Sequence, residues 1–297
     1  MMELQNGCFR HAIAAGSVVD YSNMTVHAES LSMRYGISLF EGVRGYLPEN
    51  GQQVRFFELG RHLERLADSC SAMGVAGLDC DSIARQSEQL LALNMVQQDC
   101  YLRIAVNLLA LEDINADLGG NVFISLRPMG RKKWLQQGSA MSVHISARCK
   151  PADEVFPQRI KNISNYAGPK LALDEAKQLG FDSVLLRTPA GTISEAPTAN
   201  LFVVNRDTLL TPPVSDCILR GITRDTIMRL ATGMGIKVEE RSLADEDLEE
   251  CDEAFLCGTG LEIGPIGRIG RRPMEGERAL TRRIVDAYFK HVRSALQ

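Results

Sequence analysis

The sequence predicts two domains that each combine α-helices with β-strands. A chain of 297 residues, of which 45% are hydrophobic and 24% charged, is long enough for two hydrophobic cores. Strand-like and amphipathic helix-like runs follow one another in both halves of the chain. A stretch rich in glycine and basic residues, 128–138, separates these halves. We therefore expect a small N-terminal domain at 1–127, a connector at 128–138 and a larger C-terminal domain at 139–297.

Charge and composition argue against several partners. The 33 basic and 37 acidic residues give a net charge of −4, which favours neither nucleic acid nor an anionic membrane. The N-terminus lacks the basic-then-apolar pattern of a signal peptide, and no apolar run approaches the roughly 18 residues of a spanning helix. The eight cysteines form no Cys-x-x-Cys pair and the five histidines show no metal-ligand spacing. We expect a cytoplasmic protein with reduced thiols and without a metal.

The pattern of each segment predicts the elements in order. The N-terminal half is expected to hold a strand pair at 9–19, a helix from Glu58 to about Met73, a second helix at about 82–97 behind an Asp79 cap, and strands at 101–106 and 121–126. The C-terminal half is expected to hold strands at 141–147, 159–163, 183–187, 201–204 and 253–257, and helices at 168–179, 219–233 and 277–296. Gly180 is predicted to close the first of these three helices, and Thr223 to cap the second.

Chemistry is indicated between residues 158 and 202. The alternation at 159–163 predicts a half-buried strand in the sheet of the second domain, on which Lys161 would be partly desolvated. Desolvation lowers a lysine pKa, and a neutral amine adds to an aldehyde as a Schiff base. Glu195 stands in a loop of small residues before an apolar strand, and Tyr166 offers a phenol. Taken singly, a solvated lysine and a turn glutamate are the ordinary interpretations.

Together, these residues resemble a family. The run Lys-x-x-x-Asn-Tyr from Lys161, followed by Ile193-Ser194-Glu195 and Ala199-Asn200-Leu201-Phe202, is similar to the signature of the class IV, or fold type IV, pyridoxal phosphate enzymes. Branched-chain aminotransferases, D-amino acid aminotransferases and aminodeoxychorismate lyases belong to that family. The resemblance to branched-chain aminotransferases is strongest, and it also rests on motifs at 35–44, 101–103, 221–225 and 258–263.

The resemblance implies a fold and a reaction. The fold would have a smaller N-terminal α/β domain, a larger C-terminal domain with a mainly antiparallel, barrel-like sheet, and pyridoxal 5'-phosphate between them. The reaction would move an amino group between an L-amino acid and a 2-oxo acid, in a homodimer. Lys161 would hold the cofactor and move the substrate proton, while Glu195 would keep the ring nitrogen protonated.

The same resemblance assigns the remaining site residues. Those implied for the cofactor are Arg65, Tyr166, Leu219, Ile222, Thr223 and Thr259. Those implied for the substrate are Tyr35, Phe40, Tyr101, Arg103, Thr259 and Gly260. The first helical turn at Ile222 and Thr223 suits a phosphate dianion. The glycines at 258–264 do not have the dinucleotide-binding spacing.

Two segments depart from the branched-chain pattern and leave the substrate open. The segment 107–120 does not resemble the expected interdomain loop, and Met129 stands where a tryptophan is frequent. The amino donor is therefore either branched-chain or a specialised analogue. An aminodeoxychorismate lyase, a D-amino acid aminotransferase and a non-catalytic ligand-binding relative are the alternatives.

Overall fold

The computed structural model describes residues 4–49, 51, 53–114 and 119–294, except for the side chains of Lys133 and Gln136. Contacts between Cα atoms divide the chain into two compact units. The first unit comprises 1–130, 160–164 and 292–297, and the second comprises 131–159 and 165–291. Both units are discontinuous in sequence. The continuous division at 127 and 138 stays a proposal.

Helices and strands alternate along the described residues. The helices are α1 Leu31–Tyr35, α2 Leu59–Ala72, α3 Cys80–Leu93, α4 Lys133–Gln137, α5 Ala167–Gln178, α6 Ile222–Gly233, α7 Asp245–Glu250 and α8 Ala279–Ser294. The strands are β1 Leu4–Gln5, β2 Cys8–Phe9, β3 His11–Ala14, β4 Ser17–Asp20, β5 Ser38–Tyr46, β6 Arg55–Phe56, β7 Cys100–Leu108, β8 Gly120–Pro128, β9 Met141–Cys149, β10 Ser183–Arg187, β11 Asn200–Asn205, β12 Thr208–Thr211, β13 Lys237–Glu240, β14 Glu253–Gly258, β15 Glu262–Ile269 and β16 Arg272–Pro273.

The first unit is built on a six-stranded sheet in the order β4-β3-β8-β7-β5-β6. All of its pairings are antiparallel. Strand β5 is buried along its whole length, because β7 covers one of its edges and α2 packs against it. Its Phe40, Gly42 and Arg44 lie opposite Ala105, Arg103 and Tyr101 of β7. Paired residues point to the same face of a sheet, so Phe40, Tyr101 and Arg103 share one face.

The second unit is built on an eight-stranded mixed sheet in the order β10-β9-β15-β14-β11-β12-β13, with β16 on β15. Parallel pairing joins β10 to β9, β9 to β15 and β12 to β13, and the other pairings are antiparallel. Apolar side chains of the central strands form its core, including Leu185, Leu201, Val203 and Leu256. The strands expected at 141–147, 183–187, 201–204 and 253–257 are confirmed.

The strand expected at 159–163 is wrong. Lys161 lies in a loop that belongs to the first unit and does not join the sheet of the second. Its only described pairing is a single bridge from Asn162 to Leu39, after which the chain turns into a 3₁₀ helix at Ile163–Tyr166. A five-residue alternation is too short to specify a strand when side-chain and backbone bonds from β5 hold the segment instead.

Three helix predictions need correction at their ends. Helix α3 stops at Leu93, because the Asn94 amide bonds the carbonyl of Leu90 and Met95 takes a positive φ of 48°. Helix α6 is capped by Gly221, so Thr223 lies inside it. Helix α8 ends at Ser294 within the described residues, and the expected end at 296 lies outside them.

Among the described residues, no helix combines the length and apolar character needed to cross a membrane.

Candidate active site

Strand β5 and helix α2 fix the backbone of Lys161 from two sides. The Phe40 N–H donates to the Lys161 carbonyl at 3.0 Å, and the Lys161 N–H donates to Ser69 Oγ at 3.2 Å. The buried Asn162 side chain accepts from the Ser38 N–H at 2.8 Å and donates to the Gly36 carbonyl at 3.0 Å. The lysine is therefore placed by long-range bonds of the first unit.

Two cationic side chains meet the ring of Phe40. Lys161 Nζ lies 4.7 Å from the ring centroid and Arg103 Cζ lies 4.3 Å from it. Tyr101 stands beside them, with its hydroxyl against Gly42, where a Cβ atom would come within 1.8 Å of that oxygen. Three of the predicted substrate residues thus lie together with the amine, on a face where glycine leaves room for the phenol.

Arg65 is held by a buried acid. Its Nε and Nη2 donate to Glu41 at 2.6 and 2.8 Å, and His62 Nδ1 lies 2.8 Å from Glu41 Oε2. Burial raises the pKa of Glu41, but the charge of Arg65 and the hydrogen bonds from His62 and Arg65 outweigh it and lower that pKa well below its usual range. Burial lowers the pKa of His62, so the imidazole is neutral at pH 7 and donates from Nδ1.

In the second unit, Glu195 is buried and accepts hydrogen bonds at both of its oxygens. Oε1 accepts from Lys150 Nζ and, at 3.1 Å, from the Leu219 N–H. Oε2 accepts from Asn200 Nδ2 at 2.8 Å, and the same amide group donates to the Leu219 carbonyl at 2.9 Å. Asn200 thereby links the acid to the segment that enters α6.

The start of α6 lacks a side-chain cap. Gly221 is the N-cap and has no side chain to bond the first amides of the helix, among them those of Ile222 and Thr223. A Cβ at Gly221 would lie 2.0 Å from Asn200 Oδ1, so only glycine fits against that amide. Helix-start N–H groups without an intrahelical partner, backed by the helix dipole, suit an anion.

The other predicted residues lie on three further segments. Tyr35 is 42% exposed and its ring lies under Arg34. Tyr166 ends the 3₁₀ helix before α5 in the second unit. Thr259 and Gly260 form the turn between β14 and β15, before the fully buried Glu262.

The sequence predictions missed the residues that position the predicted ones. Glu41 had a signal, because it is an acid inside the apolar strand β5 and faces the basic residues of α2. Asn200 belongs to the Ala199–Phe202 motif, but the motif alone does not indicate its hydrogen bonds. Lys150 has no local signal, since it lies 45 residues from Glu195 in sequence.

Comparisons with known proteins agree with this geometry. A family model described as amino-transferase class IV matches residues 38–269. A "probable branched-chain-amino-acid aminotransferase" of Rickettsia bellii is 34% identical over 86% of this chain and 85% of its own length. The branched-chain-amino-acid aminotransferase of Escherichia coli K12 is 31% identical over 92% and 90%.

A solved structure extends the agreement to the fold. The crystal structure of branched-chain amino acid aminotransferase from Thermobaculum terrenum in PLP-form superposes with a TM-score of 0.89 at 28% identity, and it covers 98% of this chain and 95% of its own. The predicted fold class and the transaminase activity are confirmed by these matches. Since the family model spans well over half of the sequence, from β5 to the end of β15, this chain belongs to the class IV aminotransferases.

Proposed function

We propose that this aminotransferase uses pyridoxal 5'-phosphate, bound at Lys161, to move an amino group between a branched-chain-like L-amino acid and a 2-oxo acid. The observation that carries the proposal is the buried Glu195 carboxylate, which is bonded through Leu219 and Asn200 to the uncapped start of α6. An acid and an anion site linked within one unit suit the ring nitrogen and the phosphate of one cofactor.

The residues present fit that cofactor. Lys161 supplies an amine for a Schiff base, and Glu195 supplies an acceptor for a protonated ring nitrogen. Arg65, oriented by Glu41, has the fork geometry that suits a phosphate monoester, and the amides of Ile222 and Thr223 suit it also. Tyr166, Leu219 and Thr259 keep their proposed cofactor roles.

The cofactor, when bound, supplies an electron sink for the bond being broken at the substrate Cα. The chain's own residues would supply the base, the partner of the ring nitrogen and the contacts that orient the cofactor. The Lys161 amine would act as the general base that takes the proton from the substrate Cα. Glu195 keeps the ring nitrogen protonated, so that the sink is strong. The phosphate contacts orient the ring, which is the main contribution of binding groups remote from the chemistry.

The substrate side is proposed to be the face of β5 and β7. Phe40 and Tyr101 offer apolar surface and a phenol, and Arg103 offers a fixed cation for a carboxylate. Gly260 and Tyr35 keep their proposed substrate roles. The names of the relatives favour branched-chain donors, while Met129 keeps a specialised analogue as the second donor class.

We also propose a cytoplasmic homodimer. Seven large apolar side chains among the described residues of the first unit are more than 40% exposed. Four of them lie on α1 or in the segment 111–114, which Arg34 of α1 contacts through the Leu111 and Glu112 carbonyls: Met33, Tyr35, Leu111 and Ile114. Apolar clusters of this kind are typical of subunit interfaces. All eight cysteines are free thiols, which suits a reducing compartment. The mass of the protein in solution, measured by light scattering, tests the dimer.

The cofactor assignment is tested by spectroscopy. Wild-type protein incubated with pyridoxal phosphate is expected to show a visible absorption band and to transaminate, and Lys161→Ala is expected to lose both. Lys170→Ala is the matched control, because Lys170 is an exposed lysine paired with Asp174 on α5. A yellow, active Lys161→Ala protein would overturn the assignment.

The substrate is tested with a panel. L-leucine, L-valine and L-isoleucine are expected to convert the bound cofactor in single turnovers, with 2-oxoglutarate or pyruvate reversing the change. Spectral changes with D-amino acids alone would indicate a D-amino acid aminotransferase. Pyruvate release from aminodeoxychorismate would indicate a lyase. An unchanged spectrum with every donor would indicate a ligand-binding relative.

A further inference from the structure

Glu195 is paired with a buried lysine that no motif identifies. Lys150 follows β9, and its ammonium donates to Glu195 Oε1. The two side chains are 6% and 7% exposed, and Glu195 is the only acid paired with Lys150 among the described residues. An ammonium and a carboxylate are each costly to bury alone, so each charge here stabilises the other.

The hydrogen bonds of Glu195 leave one acceptor direction open. Oε1 takes two donors, Lys150 Nζ and the Leu219 N–H, whereas Oε2 takes only Asn200 Nδ2. A carboxylate has about four lone-pair sites, so one remains at Oε2. Lys150 thus shares Oε1 with the Leu219 N–H and leaves the remaining acceptor site of Oε2 available to a further donor.

We propose that Lys150 is a positioning residue whose ammonium keeps Glu195 in its carboxylate form and holds Oε1, so that Oε2 accepts the protonated ring nitrogen of the cofactor. This inference rests on the proposed function and deepens it. It assigns the ring proton a source: the carboxylate carries none, so the proton enters from solvent.

The proton balance differs between the wild type and a variant without the ammonium. In the wild type, an unprotonated ring nitrogen gains one proton from solvent on binding, while Glu195 stays a carboxylate and Lys150 stays an ammonium. In Lys150→Met, the buried carboxyl has lost its cation and retains a proton in the empty site. That O–H bond breaks as the new N–H bond forms, and no solvent proton is consumed.

The test measures proton uptake on binding pyridoxamine 5'-phosphate, which forms no covalent bond with Lys161. Cofactor-free wild type, Lys150→Arg, Lys150→Met and Glu195→Gln are titrated by calorimetry in buffers of different ionisation enthalpy, above the pKa of the free ring nitrogen. Wild type and Lys150→Arg are expected to take up one proton more than the other two. As the pH rises, the affinity of wild type and Lys150→Arg for pyridoxamine 5'-phosphate is then expected to fall about tenfold more per pH unit than that of the other two proteins. Equal uptake by wild type and Lys150→Met overturns the proposal.

A second measurement covers the possibility that a variant folds poorly. In urea unfolding of the cofactor-free protein, Lys150→Met and Glu195→Gln are each expected to lower the midpoint. The double variant Lys150→Met/Glu195→Gln is expected to recover most of that loss. Additive losses would overturn the coupling. Wild-type protein that shows no visible band with pyridoxal phosphate would instead refute the proposed function, and the unfolding cycle would be unaffected.

Discussion

Arg65 donates two hydrogen bonds to Glu41, from Nε to Oε1 at 2.6 Å and from Nη2 to Oε2 at 2.8 Å. The acid is fully buried, whereas the arginine is 14% exposed. A two-point contact fixes the plane of the guanidinium. The arginine proposed for the phosphate is therefore held in place before any ligand arrives.

The first prediction concerns this pair. Glu41→Gln is expected to lower the free energy of unfolding by about 3–5 kcal/mol, because it removes one partner of a buried ion pair. It is also expected to weaken binding of pyridoxamine phosphate, measured by calorimetry. Asp20→Asn is the control, since its pair with Arg10 at 3.1 Å is exposed and should contribute at most about 1 kcal/mol. Equal losses in both variants would contradict the prediction.

The second prediction concerns acid stability. Burial lowers the pKa of His62 from its ordinary 6.5, so below pH 6.5 the unfolded chain takes up a proton that the folded chain refuses. The stabilisation is complete above about pH 6.5 and declines as the pH falls towards the lowered pKa, by up to about 1.4 kcal/mol per unit. Urea unfolding from pH 7.5 to 5 is expected to show a flatter profile for His62→Gln. The exposed His27→Gln should match the wild type.

The pKa of Glu41 belongs to a different pH window. It is lowered from an ordinary 4.5, so its contribution is complete above about pH 4.5 and is lost only in stronger acid. A His62→Gln profile that stays as steep as the wild type between pH 7.5 and 5 would therefore refute the role of His62, because Glu41 does not titrate there.

The third prediction concerns the glycine at the start of α6. In Gly221→Ala, the new methyl group would lie 2.0 Å from Asn200 Oδ1 and force that amide away from Glu195 and Leu219. Leaving these buried groups without their hydrogen-bond partners is expected to lower the free energy of unfolding by about 1–3 kcal/mol and to weaken pyridoxamine phosphate binding. Gly233→Ala, at the other end of the same helix, meets no atom within 4 Å and should be neutral or stabilising. The reverse ranking would refute the argument.

The fourth prediction concerns Phe40. Phe40→Leu keeps an apolar side chain but removes the ring that faces Lys161 and Arg103. Each cation–π contact contributes about 0.5–2 kcal/mol, so kcat/KM for the best donor is expected to fall several-fold to a few tens-fold. Phe181→Leu is the matched control. The Phe181 ring also faces a cation, with Arg268 Cζ 4.3 Å from its centroid, and Phe181 is not among the proposed site residues. Equal effects on kcat/KM would show that general destabilisation is the cause.

The sequence predicted the family well because its motifs are local. Lys161, Glu195 and the segment from Gly221 each sit in short runs, and the class IV assignment that they implied is confirmed by the match to residues 38–269. Long elements with strong patterns, such as α2 and β7, were placed to within a few residues. Local patterns therefore carried both the family and the element types.

What the sequence did not predict depends on distant partners. The alternation of five residues predicts a strand around Lys161, yet its conformation is set by Phe40 and Ser69, which lie far away in the chain. The pair of Lys150 with Glu195 spans 45 residues and leaves no trace in either segment. Thr223 has good capping chemistry, but the space beside Asn200 selects glycine at the cap.

The discontinuity of the first unit matters for anyone who recombines this enzyme with a relative. Because 160–164 belongs with 1–130, a chimera joined only after Gly130 would pair one parent's lysine loop with the other parent's β5 and α2. The bonds from Ser38, Phe40 and Ser69 would then be mismatched. A chimera that preserves these hydrogen bonds must take 160–164, β5 and α2 from the same parent.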